Sequence, residues 1–564
     1  MHMRRTLNKF GPTESLTSRS IHLARKDALR KFYECGFSYS RKLTAHKSCV
    51  NYLAFSRHDG RWLASAGDDC RVLLWDFSQE DVVCPGHAFA GPMGNVLALD
   101  FSATNQYLYS GGADDVILKY DVSTLREVGS TSIGERGWSS SVERYGDHDT
   151  RNDVKEHRIA SERLHAIHTK TRYLSALGTF YSNSPVSESK SASHSEDGKL
   201  VLHDSRAGGR MSAAQGTLQH TAAFTGVQHH PVMEHVFATC DVHGHVCLRD
   251  TRMTFGPLSR RSNDGIVRVY NTKLSRKSAG YLSNPESSSL TFDRDGSKLA
   301  VTFLHYFPTI YDMSDPHPLA ICTGRNTPDG TPISPPQRSY TNSCTMKSGA
   351  FGGPGMDEDN MYGAGSDDFR AYVWRIPPLM TLQGLRQEIT PHDWYAREWP
   401  DTVAFAEGKW ESRYVPYEIS MPLARLNGHK SIVNSVAIHP SLLHIATSGV
   451  ERQIILHSPT PSSPAVQNLL PTPPAVRMLQ PQDLAAQRMF LRALFGPHPT
   501  LHEDVEDDEG ENETISLFDH ILRAEGEADV FTIRRWGEDS AEDSEDEDET
   551  IIDDFDTSLS DSSL

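Results

Sequence analysis

The sequence is poor in apolar residues and has no long apolar run. Hydrophobic residues make up 37% of its 564 residues, and the formal net charge is −18. This combination indicates a disordered portion beside a packed core. The lack of an apolar run of about eighteen residues argues against a membrane-spanning helix, and the opening string MHMRRTLNKFG lacks the apolar core of a signal peptide. We expect a soluble intracellular protein, in the nucleus, the cytoplasm or both, with no membrane partner.

Paired cysteines and catalytic motifs are also missing. The eight cysteines form no C-x-x-C pair, which favours reduced thiols over a disulfide framework. The chain has no G-x-x-x-x-G-K-[ST] loop and no H-E-x-x-H, G-x-S-x-G or Rossmann sequence. Cys240, His243 and His245 lie close together, but without four ligands at a zinc-site spacing. We expect no catalytic residue, no cofactor and no metal site, and the acidic balance argues against direct nucleic-acid binding.

A unit that ends in a β-hairpin recurs along the chain. In its clearest copy, residues 63–67 have β character, Asp68 and Asp69 form a polar turn, and residues 72–75 form a second β run that closes at Trp75. In five copies the turn acid precedes the closing residue by six positions: Asp69 and Trp75, Asp114 and Tyr120, Asp197 and His203, Asp368 and Trp374, Glu451 and His457. In four copies a hydroxyl lies four positions before the acid: Ser65, Ser110, Ser193 and Thr447.

This unit resembles the WD repeat, which forms one blade of a β-propeller. At about 40 to 45 residues per repeat, seven blades need roughly 300 residues. We therefore predict an all-β fold, a seven-bladed WD-repeat β-propeller over residues 37–460, closed by strand 38–43 pairing with the last blade. Insertions are expected at about 158–189, 253–282, 323–341 and 383–422. The flanking parts are an N-terminal segment with a short helix (1–36), a Pro-rich linker with a short helix (461–500) and an acidic, mostly disordered tail (501–564).

The resemblance also implies a structural network inside each blade. In WD proteins a His, a Ser or Thr, the turn Asp and the Trp form buried hydrogen bonds that hold the blade together. The complete copy is assigned to His46, Ser65, Asp69 and Trp75. The other blades are assigned His87, Ser110, Asp114, Asp197, Asp368, Trp374, His429 and Thr447. A network that lacks a member is expected to stabilise its blade less.

Two consecutive repeats end in Asp-x-Arg, at Asp204 to Arg206 and at Asp250 to Arg252. The planar fork of an arginine just after a strand bonds well to carboxylates or carbonyls of a partner. A single surface arginine is common, but two copies in adjacent blades are more specific. The pair resembles the motif by which WD proteins dock on damage-specific DNA-binding protein 1, the adaptor of cullin-4 ubiquitin ligases. Here His203 and Arg249 replace the usual preceding Trp.

Longer strings resemble the family of the fifth cullin-4-associated factor, a WD-repeat substrate receptor. The strings are WLASAGDDCRVLLWD (62–76), NSCTMKS (342–348), GSDDF (365–369), WRIP (374–377) and GHKSIVNSV (428–436). The family implies adaptor-facing roles for Asp204, Arg206, Asp250 and Arg252. Many such receptors also place a helix before the first blade into the adaptor, which implies that role for the basic amphipathic segment 20–32, with Leu23, Arg25, Leu29 and Arg30.

Several segments keep more than one interpretation. Segment 20–32 either packs on the side of the propeller or enters a partner's groove. The insertion 383–422 either covers a sheet edge, which we favour, or offers Trp394, Trp399 and Trp410 as a partner-binding patch. Residues 158–189 are an extruded loop or a gene-model error, and DGIVRVYNT (264–272) follows the fourth blade too closely to be an ordinary blade. The less acidic centre of the tail, 515–536, is a candidate docking helix.

The combined interpretation is a non-catalytic substrate receptor of a cullin-4 RING ubiquitin ligase. It would bind the adaptor, and through it cullin-4, and would recruit an unknown protein substrate for ubiquitination. The alternative is a general WD-repeat scaffold in a nuclear, chromatin or RNA-processing complex, in which case the Asp-x-Arg endings are incidental.

Overall fold

β-Strands in antiparallel sheets dominate the computed structural model. It describes residues 26, 28–132, 180–183, 190–194, 198–204, 213–353, 359–399, 401–479, 507–526 and 529–532. These residues contain eight sheets. Within them, no helix has the length and apolar character needed to cross a membrane.

The first half of the chain forms four four-stranded sheets after an initial strand, β1 (Tyr39–Thr44). Sheet 1 contains β2 (Val50–Phe55), β3 (Trp62–Gly67), β4 (Val72–Asp76) and β5 (His87–Phe89). Sheet 2 contains β6 (Val96–Phe101), β7 (Tyr107–Gly112), β8 (Val116–Asp121) and β9 (Arg126–Ser132). Sheet 3 contains β10 (Phe180–Asn183), β11 (Lys190–His194), β12 (Lys199–Asp204) and β13 (Thr217–Gln219). Sheet 4 contains β14 (Phe224–His229), β15 (Val236–Asp241), β16 (Val246–Asp250) and β17 (Ile266–Tyr270).

The second half forms three more sheets of the ring, one of four strands and two of five, and an accessory sheet. Two short strands, β18 (Leu274–Arg276) and β19 (Leu282–Ser283), precede sheet 5, which contains β20 (Ser287–Phe292), β21 (Lys298–Phe303), β22 (Thr309–Asp312) and β23 (Pro318–Cys322). Sheet 6 begins with β24 (Gly349–Gly352), β25 (Met361–Gly365) and β26 (Ala371–Arg375). Then come β27 (Gln387–Ile389), β28 (Val403–Phe405), β29 (Arg413–Val415), β30 (Tyr417–Ile419) and β31 (Ala424–Leu426), the last of which completes sheet 6. Sheet 7 contains β32 (Val433–Ile438), β33 (Ile445–Gly449), β34 (Gln453–Ser458), β1 and β35 (Leu470–Pro471). In sheet 5, β30 is the fifth strand and pairs parallel with β23.

Helices are short apart from one near the C-terminus. Residues 28–35 are helical. The named helices are α1 (Ala213–Gly216), α2 (Thr251–Thr254), α3 (Leu379–Leu385), α4 (Pro391–Ala396) and α5 (Asp507–Glu525), with 3-10 turns at Leu258–Arg260 and Asn263–Gly265.

The seven sheets are arranged in a closed ring. Their first strands contact one another in chain order, from β2 through β6, β10, β14, β20 and β24 to β32, and β32 contacts β2 again. In most of the sheets the second and third strands are largely buried, as in β3 and β4, because neighbouring sheets cover both faces. The arrangement and the repeats are consistent with a β-propeller.

The ring is closed by the first strand of the chain. β1 pairs antiparallel with β34, from Tyr39 opposite Ser458 to Thr44 opposite Gln453. The sequence predicted this pairing, and it is confirmed. Without β1, the edge of β34 would expose unpaired backbone groups; with it, the N-terminal end of the ring and sheet 7 share one set of backbone hydrogen bonds.

A glycine ends the second strand of several sheets for a steric reason. A Cβ on Gly67 would lie 1.8 Å from the carbonyl oxygen of Cys49, and one on Gly449 would lie 1.9 Å from that of Ile432. The same carbonyls accept hydrogen bonds from the backbone N–H groups of Asp68 and Val450. The hairpin turn therefore packs directly on the backbone that leads into the first strand, which only glycine permits.

Three predicted insertions are corrected by the strand pairing. Of 158–189, residues 180–183 are the first strand of sheet 3 and pair with β11, and the rest of that segment lies outside the described residues. Residues 253–282 are not all an insertion, because Ile266–Tyr270 is the fourth strand of sheet 4 and pairs with β16. The repeat-like string 264–272 looked misplaced because it supplies a single strand of a sheet already begun. Other residues of 253–282 pair with the insertion 383–422, because β18 pairs with β28. Together with β19, β29 and β27 they form the accessory sheet, in the order β19-β18-β28-β29-β27.

The tail also departs from the expectation of disorder from residue 501 onward. Within it, α5 buries Ile515, Ile521 and Leu522 to 8% exposure or less. Apolar residues at helical spacing explain this, because they give the acidic helix one face that can leave water. Of the predicted docking segment 515–536, residues 515–525 lie in α5, which spans 507–525, whereas 527–528 and 533–536 lie outside the described residues.

Candidate protein-interaction surfaces

Five sheets share one buried hydrogen bond between their second and third strands. In each, a hydroxyl bonds to the side chain ten residues later, at the position of the WD tryptophan. The pairs are Ser65 and Trp75 (3.0 Å), Ser110 and Tyr120 (3.1 Å), Ser193 and His203 (2.8 Å), Thr239 and Arg249 (3.0 Å), and Thr447 and His457 (3.0 Å). Thr239 was not predicted from the sequence, because the hydroxyl position is counted from a turn acid and this repeat has His243 in place of the acid.

Sheet 1 contains the longest chain of such bonds. Trp75 Nε1 donates to Ser65 Oγ, which lies 2.8 Å from His46 Nε2, and His46 Nδ1 lies 3.0 Å from a carboxylate oxygen of Asp69. Burial raises the pKa of Asp69, but the hydrogen bond and the charge of His46, with the Lys47 amide, outweigh it and lower the pKa to about 2. All four assigned residues therefore meet in one network.

Sheet 7 builds the same network from different residues. His429 Nδ1 bonds to the carboxylate of Glu451, and His429 Nε2 lies 2.7 Å from Thr447 Oγ1. The hydroxyl in turn bonds to His457, whose pKa burial lowers to about 3, helped by the nearby His429. Glu451 replaces the aspartate and His457 replaces the tryptophan, and the chain of hydrogen bonds remains continuous.

The prediction that His87 belongs to the network of sheet 2 is wrong. His87 lies in β5, the outer strand of sheet 1, where it pairs with Leu74. Asp114 instead accepts the backbone N–H of Met93 at 2.9 Å, just as Asp69 accepts that of Lys47. The position that corresponds to His46 is thus Pro92, which has no side-chain donor; Ser110 still bonds to Tyr120.

The predicted network of sheet 6 is also corrected. Ala364 occupies the hydroxyl position, and among the described residues Trp374 Nε1 has no hydrogen-bond partner. Asp368 accepts instead from Tyr372 and Arg370. Asp367, the acid beside it, pairs with Lys347, and both side chains are fully buried.

Sheet 3 carries the first Asp-x-Arg ending. Asp197 and Arg206 lie outside the described residues. Asp204 is the last residue of β12, and only its backbone is described. His203 in front of it occupies the tryptophan position, and burial lowers its pKa to about 4.

Sheet 4 carries the second ending, with its side chains in place. Asp250 is the N-cap of α2 and accepts the backbone N–H of Arg252 at 2.8 Å. The Arg252 guanidinium also bonds to this carboxylate, while 68% of the side chain stays exposed. Arg249, only 1% exposed, fills the tryptophan position with bonds to Thr239 Oγ1 and to the carbonyl of Asp264 at 2.7 Å. Although Arg249 replaces the tryptophan, the Asp250–Arg252 ending is still held in place by these hydrogen bonds.

The N-terminal helix lies on the ring. Leu23 and Arg25 are outside the described residues. Ala28 and Phe32 are buried in a cluster with residues of sheets 6 and 7, and Leu29 packs against it. The half-buried Leu29 thus packs on the ring, its role in a partner's groove stays a prediction, and Arg30 is exposed.

The three tryptophans of the insertion do not form one patch. Trp394 is 1% exposed and stacks on Trp399 in the core of the accessory sheet. Trp410 is 72% exposed and lies against Tyr395. The buried Arg413 holds its loop by donating to the carbonyls of residues 408, 409 and 411. Only Trp410 remains available to a partner.

The described residues show no grouping of three or more His, Cys, Asp or Glu side chains that would hold a metal ion. Cys240 is buried, and burial raises its pKa to about 12, which leaves the thiol protonated and a poor ligand. His245 pairs with Asp241. What the geometry offers is therefore surfaces for partners.

Known proteins resemble this chain at two scales. The family described as WD domain, G-beta repeat matches residues 37–76, 82–121 and 420–458. DDB1- and CUL4-associated factor 5 of Homo sapiens is 26% identical over 454 residues, which cover 79% of this chain and 37% of that protein; the Mus musculus protein of that name is 26% identical, with 79% and 36% covered. The WD repeat protein iqw1 of Schizosaccharomyces pombe is 31% identical over 114 residues, 19% of this chain and 14% of that protein.

The chain thus spans little more than a third of the length of the first two relatives. The similarity nevertheless runs through most of this chain, and the family matches fall on strands of sheets 1, 2 and 7. The resemblance predicted from the sequence is confirmed, and the chain is a WD40-repeat protein distantly related to DDB1- and CUL4-associated factor 5.

Proposed function

We propose that this chain is a non-catalytic substrate receptor of a cullin-4 ubiquitin ligase, which docks on the adaptor DDB1 and recruits a protein substrate. The observation that carries the proposal is the anchored Asp250–Arg252 ending, in a chain related over most of its length to a DDB1- and CUL4-associated factor. Residence inside the cell, in the nucleus or the cytoplasm, belongs to the same proposal.

The architecture proposed for this role is one seven-bladed propeller over residues 37–460. The ring contacts of the first strands and the β1–β34 pairing support it. Segment 1–36 precedes the ring, and 461–500 and the acidic 501–564 follow it. Sheets 3 and 4 become adjacent blades, since β10 contacts β14, so β12 and β16, the strands that lead into the two Asp-x-Arg sequences, belong to neighbouring blades.

The chemistry of the Asp-x-Arg endings suits a docking contact. Asp250 fixes the backbone and the guanidinium of Arg252, which reduces the conformational entropy that the side chain loses on binding. The exposed part of the fork keeps donors for carboxylates or carbonyls of the adaptor. Asp204 and Arg206 are proposed to do the same on sheet 3, together with exposed Arg30 before the first blade.

A receptor of this kind needs no catalytic group. It raises the effective concentration of substrate lysines near the charged conjugating enzyme. Ubiquitin transfer then follows from proximity, while the rest of the propeller surface selects the substrate.

Co-purification of DDB1 tests the proposal. The double variant Arg206→Glu, Arg252→Glu should lose DDB1 by at least tenfold relative to wild type, because charge reversal places like charges against the adaptor's acceptors. The matched control is Arg375→Glu, since this exposed arginine ends the third strand of sheet 6. Circular dichroism checks that each variant is folded.

Retention of DDB1 by the folded double variant would contradict the adaptor role of the endings. Failure of wild type to bring down DDB1 would contradict the receptor function and leave a general WD-repeat interaction scaffold, whose complexes survive the charge reversal.

A further inference from the structure

A C-terminal strap crosses one edge of the ring. We define it as residues 507–526 and 529–532, which include α5. Ile521 and Leu522 are 5% exposed and pack with Phe369 and Val450, which lie in the turns between the second and third strands of sheets 6 and 7. The same cluster contains Cys49, Cys344 and Ile432, the residues just before or near the first strands of sheets 1, 6 and 7.

Arginines of the body contact the acids of the strap. Arg477 bonds with both guanidinium amino groups to the Asp519 carboxylate, at 2.7 and 2.6 Å. Arg276 contacts both oxygens of Asp529. The backbone N–H of Arg452 donates to Glu511 at 3.1 Å. Bidentate arginine contacts select carboxylates with defined geometry.

The main arginine is held by contacts that do not involve the strap. Arg477 Nε donates to the carbonyl of Lys430 at 2.6 Å, and its guanidinium lies 4.6 Å from the ring centre of Phe369. Beside it, Arg338 lies 4.4 Å from the same ring. The strap-binding surface is thus preorganised by the body of the protein, as a receptor site is.

A second anchor lies at the far end of the strap. Val530 and Phe531 are buried in the core cluster that joins sheets 4 and 5 to the accessory sheet. Ser283 Oγ donates to the carbonyl of Val530 at 2.8 Å, and Tyr281 donates to that of Phe531. The strap is therefore recognised at two apolar pairs, Ile521 with Leu522 and Val530 with Phe531, and acidic residues lie between them.

The strap lies at the opposite edge of the ring from the Asp-x-Arg ending. It contacts the turns from which the third strands start, whereas Asp250 is the residue where the third strand β16 ends. An adaptor on one edge therefore leaves the strap edge open to another protein.

We propose that the strap edge is a binding site for an acidic amphipathic helix of a partner protein, and that the strap is its tethered occupant. Residues 480–506 link the body to α5, so the strap and its site belong to one chain, and a ligand joined in this way binds intramolecularly at an effective concentration set by the link. A partner helix with a carboxylate for Arg477 and an apolar pair after it displaces the strap. That this partner is a ubiquitination substrate rests on the proposed function; the site itself does not.

The test measures binding of a fluorescent peptide of residues 507–532 to the full chain. In the variant Asp519→Arg, Ile521→Glu, Leu522→Glu the tethered strap no longer competes, so the peptide should bind at least tenfold tighter than to wild type. The control Asn512→Arg adds a charge at an exposed position of the same helix and should bind like wild type.

A charge swap identifies the site. Adding Arg477→Glu to the triple variant should abolish peptide binding, and a peptide with Asp519→Arg should regain it. No binding to the folded triple variant, or binding that ignores Arg477→Glu, would overturn the proposal. If the triple variant does not fold, excess peptide on wild type must accelerate amide exchange of α5, and unchanged exchange counts against the site.

The adaptor provides an independent readout. The triple variant should retain DDB1 as wild type does, because the strap lies at the other edge. Loss of peptide binding with DDB1 retained defeats this inference alone, whereas peptide binding without DDB1 defeats the proposed function alone.

Discussion

Sheets 1 and 6 carry the same sequence signature and are stabilised differently. In both, a turn acid precedes a tryptophan by six residues. Trp75 bonds to Ser65 and so enters the network with His46 and Asp69. Trp374 stacks on Tyr372 at an interplanar angle of 16°, and no hydrogen-bond partner of its Nε1 occurs in the part of the chain that the structure describes.

Both tryptophans are fully buried although only Trp75 has a hydrogen-bond partner among the described residues, so packing can hold a tryptophan at this position without that bond. Sheet 6 gives up the hydroxyl at Ala364 and gains a different polar anchor, the buried Lys347–Asp367 pair. Lys347 also donates to Thr345, so its charge is surrounded by acceptors. Each sheet has one satisfied polar centre, built from different residues.

The largest expected effect comes from breaking the ion pair of sheet 6. Lys347→Met leaves Asp367 buried without its countercharge, which costs about 3–5 kcal/mol. The thermal unfolding midpoint should fall by several degrees, measured by circular dichroism. The paired change Lys347→Met, Asp367→Asn should recover part of the loss, because the amide is uncharged and its oxygen still accepts from the backbone N–H groups of Ser343 and Cys344. A single variant as stable as wild type would contradict the assignment.

A smaller loss is expected from sheet 1. Ser65→Ala removes the hydroxyl that bonds to both Trp75 Nε1 and His46 Nε2, and the loss of this one hydroxyl costs about 1–3 kcal/mol. The same thermal scan measures it. The reciprocal control is Ala364→Ser, which offers Trp374 an acceptor and should raise the midpoint slightly; equal effects of the two changes would remove the distinction between the sheets.

The smallest effect at neutral pH is an acid sensitivity of sheet 7. His457 is neutral when folded, with a pKa of about 3, against about 6.5 unfolded. Its contribution is present above pH 6.5 and is lost as pH falls toward 3, because the unfolded chain binds the proton first. Between pH 7 and 5 the loss is about 2 kcal/mol.

The variant His457→Tyr removes the contribution of His457 to the pH dependence of stability. Tyrosine suits this position, since in sheet 2 Tyr120 bonds to Ser110 at the corresponding place. The unfolding midpoint of the variant should depend less steeply on pH between 7 and 5 than that of wild type. Parallel curves for the two proteins would show that the acid sensitivity has another source.

Several strands and hairpins were predicted correctly from the sequence, and some side-chain contacts were not. The spacing of turn acid and closing residue located hairpins of sheets 1, 2, 6 and 7, and strand 38–43 was matched to its distant partner. The hydrogen bond between Thr239 and Arg249 was not predicted, because this repeat has no turn acid from which the hydroxyl position could be counted. His87 was misassigned because a histidine at a plausible distance lies on the outer strand of the preceding sheet.

The sequence alone determined the repeat, the strand that closes the ring and the Asp-x-Arg endings, because each depends on local spacing or on backbone pairing that alternating strands impose. The tertiary structure decided which side chain satisfies each buried hydroxyl, that Lys347 pairs with Asp367, and that the acidic segment 507–525 folds against arginines far away in the chain. These depend on groups brought together only by packing, where a buried polar atom bonds to whatever donor or acceptor lies within reach.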